Sequence, residues 1–213
     1  LALRRDRILL PTFLVIVVGM VSSGAQATIA FYPHLASRVE AATMINTTSS
    51  TLAMFGPVHD VTSMGAISIF KTGFMGLIAI AVLAARLVVR HTRAEEETGR
   101  LEMIGATVVG RRAPLTAALI VAAGMSIVTG GATALGLIAA GLPPEGSAIV
   151  GAGFATLGLA CASIGALTAQ LTISARAAAG MATGAIGVFY LLRAIADAAL
   201  DGDLRWVSWA SPL

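Results

Sequence analysis

The sequence predicts an all-α fold, a polytopic bundle of transmembrane helices, on three observations. Only 12% of the 213 residues are charged and 57% are hydrophobic, whereas soluble domains carry about 25% charged residues. Mean hydropathy is +0.88. Five apolar runs, 8–29, 64–89, 114–140, 148–171 and 180–200, are each long enough to cross a bilayer, because roughly 20 helical residues at about 1.5 Å rise cover its hydrocarbon core.

The first run follows Arg4, Arg5 and Arg7 and carries Pro11 in its first turn, where a missing N–H costs no hydrogen bond. It is too long for the apolar core of a signal peptide and ends without a clear small-residue cleavage site, so it reads as a span. The stretch 30–63 is an extracytoplasmic loop. It begins with a short amphipathic helix over 35–44, continues through the polar residues 46–51 and turns back at Phe55-Gly56-Pro57. The second run, 64–89, holds Lys71, the chain's single lysine, close enough to one edge for its ammonium to reach the headgroups.

The segment 92–112 is the densest charged stretch between the runs. Thr92 and Glu95 have the spacing of a capping box, which predicts a helix start there. Glu96 and Arg100 stand four apart, a favourable helical pair. Leu101, Ile104 and Val108 form one apolar stripe, Gly105 and Gly110 permit breaks, and Arg111 and Arg112 mark re-entry at the membrane. The acids precede the bases, as the helix dipole prefers. A folded, charged helix outside the membrane is a docking element for a soluble partner.

The third run begins at Pro114, and Leu142-Pro143-Pro144-Glu145-Gly146 makes the turn to the fourth. Gly151, Ala155, Gly158 and Ala162 on the fourth run, and Gly180, Gly184 and Gly187 on the fifth, are small residues that let helices approach closely in lipid. Arg193 and Asp197 stand at i and i+4 on the fifth run and can neutralise each other there. Trp206 and Trp209 suit a membrane interface, so a sixth span is expected beyond them.

Orientation follows from the basic residues. Arg4, Arg5, Arg7, Arg86, Arg90, Arg93, Arg100, Arg111, Arg112 and Arg176 fall on one side, Arg38 and Arg205 on the other. The positive-inside rule makes the N-terminus and the 92–112 segment cytoplasmic and the C-terminal end external.

The same residues exclude other functions. The net charge of +3 comes mostly from arginines at span borders, and 5% aromatic residues supply no stacking platform, so nucleic acid is not a partner. No phosphate-binding loop occurs around Lys71, so the chain is not itself an ATPase. His34, His59 and His91 are too scattered for a metal site, and Cys161 sits in an apolar run as a small core residue. The first four runs contain no carboxylate. A proton-coupled mechanism lacks its carriers, and energy is expected to enter through the charged segment.

The pattern Arg93-x-Glu95-Glu96-x-x-Gly99-Arg100-x-Glu102, followed by Val109-Gly110-Arg111, resembles the signature of ABC-2 type exporter permeases. It is most similar to the actinobacterial branch of polyketide-antibiotic (tetronasin-type) and multidrug exporters. Tyr32-Pro33, Gly56-Pro57 and Trp209-x-Ser211-Pro212 extend the resemblance along the chain. It implies six spans in each half and a coupling helix between spans two and three that docks on a cytoplasmic ATPase subunit. Carried onto this sequence, the docking residues are Glu95, Glu96, Arg100, Leu101, Glu102 and Ile104. ATP and magnesium would be bound by that subunit, not by this chain. The resemblance further implies that 1–213 is the N-terminal half of a two-half permease in a bacterial cytoplasmic membrane. It would export hydrophobic compounds such as antibiotics, drugs or lipids through an apolar cavity between spans one, two and five. The push of the ATPase would pass through the coupling helix to spans two and three. The competing reading is a non-transporting scaffold that relays ATPase cycles to an external partner.

Overall fold

A computed structural model describes residues 6–99, 110 and 112–198. Among these residues every regular element is a helix. In order they are α1 (Leu9–Phe31), α2 (Leu35–Thr47), α3 (Ser49–Phe55), α4 (Met64–Ile69), α5 (Thr72–His91), α6 (Arg93–Glu97), α7 (Ala113–Ala139), α8 (Pro144–Leu171) and α9 (Ala175–Ala198). α1, α5, α7, α8 and α9 are long and apolar enough to cross a membrane.

α5 is the central helix. Each of the three largest apolar clusters contains it. Ile80 meets Val17 and Val21 of α1, Leu137 of α7 and Phe154 of α8. Ala84, Leu87 and Val88 meet Ala118, Ala122 and Met125 of α7 and Ala162 of α8. Ala81 and Ala85 meet Leu157 and Cys161 of α8 and Ala182 and Ile186 of α9. α1, α7, α8 and α9 all pack on α5, which is the most buried span. α1 by contrast buries only the stripe Val17, Val21 and Ala25.

Close approach of the helices depends on missing side chains. α7 and α8 form an antiparallel pair whose backbones touch where Gly130 faces Gly151, and a Cβ on either glycine would collide with the other's carbonyl. Gly165 of α8 likewise lies against the backbone of Ala85, and Gly76 of α5 admits the ring of Phe154. The glycines of the fifth span behave differently from expectation. Gly180, Gly184 and Gly187 face open space, and α9 packs through Ala178, Ala182 and Ile186 instead. Alanine is small enough for that contact and loses less entropy than glycine in a helix.

Two predicted elements are revised. The run 64–89 is not one helix: α4 ends at Ile69, α5 starts at Thr72, and Lys71 lies exposed at the break. Hydropathy continues through Phe70 and hides the interruption. Just ahead of the break the ladder ends in an i to i−3 bond from the N–H of Phe70 to the carbonyl of Ile67 (3.3 Å). The predicted amphipathic helix over 35–44 extends to Thr47 and is not amphipathic, since Leu35 and Met44 are exposed and only Ala42 is buried. What holds this region is the side-chain amide of Asn46, which donates to Val58 O (2.9 Å) and accepts from Val58 N (2.8 Å). Gly56, in the left-handed region at φ 84°, makes the turn between them. The last two spans also start earlier than predicted, at Pro144 and Ala175. Proline at the first helical position explains the former.

Candidate functional site

At the end of the bundle where α1 begins, α5 emerges and bends into α6. The predicted capping box does not form. Thr92 donates its hydroxyl back to Val88 O at 2.7 Å, leaving α6 without a side-chain cap. The backbone explains this: Glu96 N–H donates to Thr92 O (3.1 Å), so the ladder nearly continues from α5 and threonine bonds within it as it does inside helices. α6 ends at Thr98 and Gly99, whose φ is 70°. Of the expected docking residues, Glu95 and Glu96 lie on this helix. Arg100, Leu101, Glu102 and Ile104 lie outside the described residues, with Val108, Gly105 and Arg111. Glu96 pairs with Arg93, three residues earlier, at 2.5 Å.

Arg93 and Glu97 also reach other helices. Arg93 donates through Nε to Ala169 O in the last turn of α8 (2.6 Å). Glu97 accepts at Oε1 from the N–H of Ala175, the first residue of α9 (2.6 Å). Both match the helix dipole, a cation at a carbonyl end and a carboxylate at an amide end. Beneath them Val89 of α5, Ala169 of α8 and Ala178 of α9 form an apolar cluster. Neither role is legible in sequence, because each partner is a backbone atom some 76 or 78 residues away.

A second feature at this end is Asp6. It is 0% exposed and sits 2.8 Å from Arg90 Nη1 and 2.5 Å from His91 Nε2. These contacts tie the residues before α1 to the end of α5. In the sequence this stretch shows only border arginines, and nothing in their spacing singles out the one acid among them. Asp6→Asn removes the charge that Arg90 and His91 surround. It should cost about 2 kcal/mol, read as a lower unfolding temperature of the purified protein, with the exposed Glu40→Gln as an unaffected control.

At the opposite end, Arg193 and Asp197 form an ion pair, Nε to Oδ2, at 3.1 Å. Arg193, 9% exposed, also lies over the ring of Phe74 at 4.3 Å. Phe74 stands between Tyr190 and Phe55, and Phe55 meets Phe70. Gly56 fits against the pair, since a Cβ there would lie 3.3 Å from Asp197 Oδ2. The cluster thereby fastens the α3 turn onto α5 and α9.

A cavity of about 400 Å³ opens near the same end. Its walls come from α4, the end of α7 and the start of α8, among them Met64, Ile69, Leu137, Leu142 and Val150, with Asp60, Ser63 and Ser147 as polar members. Thr62 donates its hydroxyl (2.6 Å) and N–H (2.9 Å) to Asp60 and holds that carboxyl below its usual range. This cavity does not involve α1 or α9, two of the three spans expected to line a transport cavity.

Helices of this length and apolarity, packed side by side with their charges at the ends, define a multi-pass helical membrane protein. The chain is similar to the multidrug efflux system permease protein Rv1217c of Mycobacterium tuberculosis (strain ATCC 25618 / H37Rv), with 44% identity over 146 residues. The alignment covers 68% of this chain and 26% of that protein, so the match spans about a quarter of the relative's length. No family model matches the chain.

Proposed function

We propose that the chain is part of the membrane-spanning permease of an ATP-driven exporter of hydrophobic compounds. The observation that carries this reading is the 44% identity to a multidrug efflux permease. The ABC-2-like charged motif that starts at Arg93 supports it, as does the lack of any phosphate-binding loop in the chain. ATP and magnesium belong to a separate cytoplasmic ATPase, which docks on the 92–112 segment. The N-terminus and that segment face the cytoplasm of a bacterial cell, as the arginine distribution favours. A second permease half completes the substrate pathway, and release to the outside follows by alternating access.

The test is to purify the native full-length protein in mild detergent and identify its stoichiometric partners by mass spectrometry. A soluble subunit with a phosphate-binding loop is expected. Drug efflux from cells should then stop when that subunit's catalytic acid is replaced. A stable ATPase partner without any ATP-dependent efflux would favour the relay scaffold instead. At the docking segment, Leu101→Asp or Ile104→Asp should abolish efflux while the permease still inserts, because a carboxylate on the apolar stripe opposes a dry contact. Normal efflux in both variants would remove these residues from the docking surface.

A further inference from the structure

We propose that Arg93 and Glu97 are positioning residues that join α6, the end of α8 and the start of α9 into one mechanical unit. A push on the connector would then reach the fourth and fifth spans directly, besides the second span to which α6 is attached through the chain. The inference rests on the reading that an ATPase drives the permease at this segment.

Three observations carry it. Arg93 and Glu97 lie on the same short helix and reach two different helices, each through a charged hydrogen bond of 2.6 Å. The bonds engage the two ends of one turn: Ala169 precedes it and Ala175 follows it. The turn therefore cannot shift away from α6 without breaking both. Beneath the turn, Val89 of α5, Ala169 of α8 and Ala178 of α9 pack as one apolar cluster, so α8 and α9 also hold the end of the helix that leads into α6. Rigid elements with shared polar and packed contacts carry displacement as a body. In this arrangement the fifth span moves with the connector, and its far end carries the Arg193–Asp197 pair against Gly56. A displacement at α6 is thereby led along α9 to the α3 turn at the opposite end of the bundle.

The experiment uses the full-length permease reconstituted with its ATPase in lipid vesicles, with ethidium as the transported probe. Glu97→Cys is combined with Ala175→Cys, and Cys161 and any other native cysteines are replaced. In the reduced form the Glu97 bond is gone. Ethidium moved per ATP hydrolysed should fall about tenfold, the bias that one charge-assisted hydrogen bond gives an equilibrium. Oxidation to the disulfide should restore coupling, because the unit is rejoined by a covalent link. Arg93→Leu and Glu97→Leu, which remove the donor and the acceptor and are measured without a crosslink, provide the same readout if the cysteine pair inserts poorly, and both should lower transport per ATP with the ATPase still active. Normal coupling in the reduced form or in both leucine variants would overturn the proposal, as would loss of transport on crosslinking. Those outcomes arise with a working wild type and leave the exporter reading intact. Failure of the wild type to couple ATP to movement of ethidium or any other lipophilic dye would instead overturn that reading and the proposal with it.

Discussion

Gly151→Val should destabilise the purified protein by about 3 kcal/mol, the upper part of the usual range for overpacking a core. That corresponds to a fall of roughly 9 °C in unfolding temperature for a chain of this size. A Cβ at Gly151 would lie 2.5 Å from Gly130 O and 2.8 Å from Ala134 Cβ. The first neighbour is backbone and cannot turn aside, so α7 and α8 must separate. Separation would open the interface along its length, where Gly158 also faces Ser126. Gly153→Val is the matched control. It lies on the same helix with nothing within 4 Å of its would-be Cβ, and it should change the unfolding temperature little. Equal effects of the two substitutions would show that α7 and α8 are not packed glycine to glycine.

The second large effect concerns the pair at the other end. Arg193→Leu should cost about 3 kcal/mol, because Asp197 loses its counter-charge in a largely dry setting. Asp197→Leu should cost a similar amount, moderated by the contact of Arg193 with Phe74, a cation–π interaction of about 1 kcal/mol. The double replacement should be more stable than either single one, since no unpaired charge remains. Thermal unfolding of all three proteins supplies a double-mutant cycle. Additive losses would mean that the two groups do not depend on each other. Gly56→Ala belongs to the same region and adds strain, because φ is 84° there and the new methyl would press on Asp197.

Several features were legible along the chain. The five apolar runs appear as long helices because a spanning helix must satisfy its backbone internally and present apolar side chains to lipid on its outer face. The pairing of Arg193 with Asp197 follows from helical spacing alone, since i and i+4 share a face. The turn at Gly56 was visible from the Gly-Pro dipeptide. The break at Phe70 and Lys71 was not, because local hydropathy stays high on both sides of it. The open faces of Gly180, Gly184 and Gly187 were not legible either. Small residues permit close packing, but nothing in their own spacing says which helix will arrive.

The candidate site was read only in part. The charged segment stood out by composition, and Glu95 and Glu96 were marked on it. Glu97, adjacent to them, was not, although it is the acid that reaches the N–H of Ala175. Asp6 was hidden among arginines whose placement at a span border is already accounted for by the membrane potential and lipid charge. Its burial depends on Arg90 and His91 arriving from 84 and 85 residues further along the chain.

The sequence by itself determined that this protein is a bundle of membrane-crossing helices, because lipid imposes a length and polarity on each segment independently of the others. It also determined where charge could gather, between the second and third apolar runs. The tertiary structure decided which helix is central, which glycines are contacts, and that Arg93, Glu97 and Asp6 tie separate helices together. Those outcomes depend on backbone carbonyls, amides and distant side chains meeting in space. Such partners leave no periodicity or spacing in the chain, so only the packed arrangement of the helices reveals them.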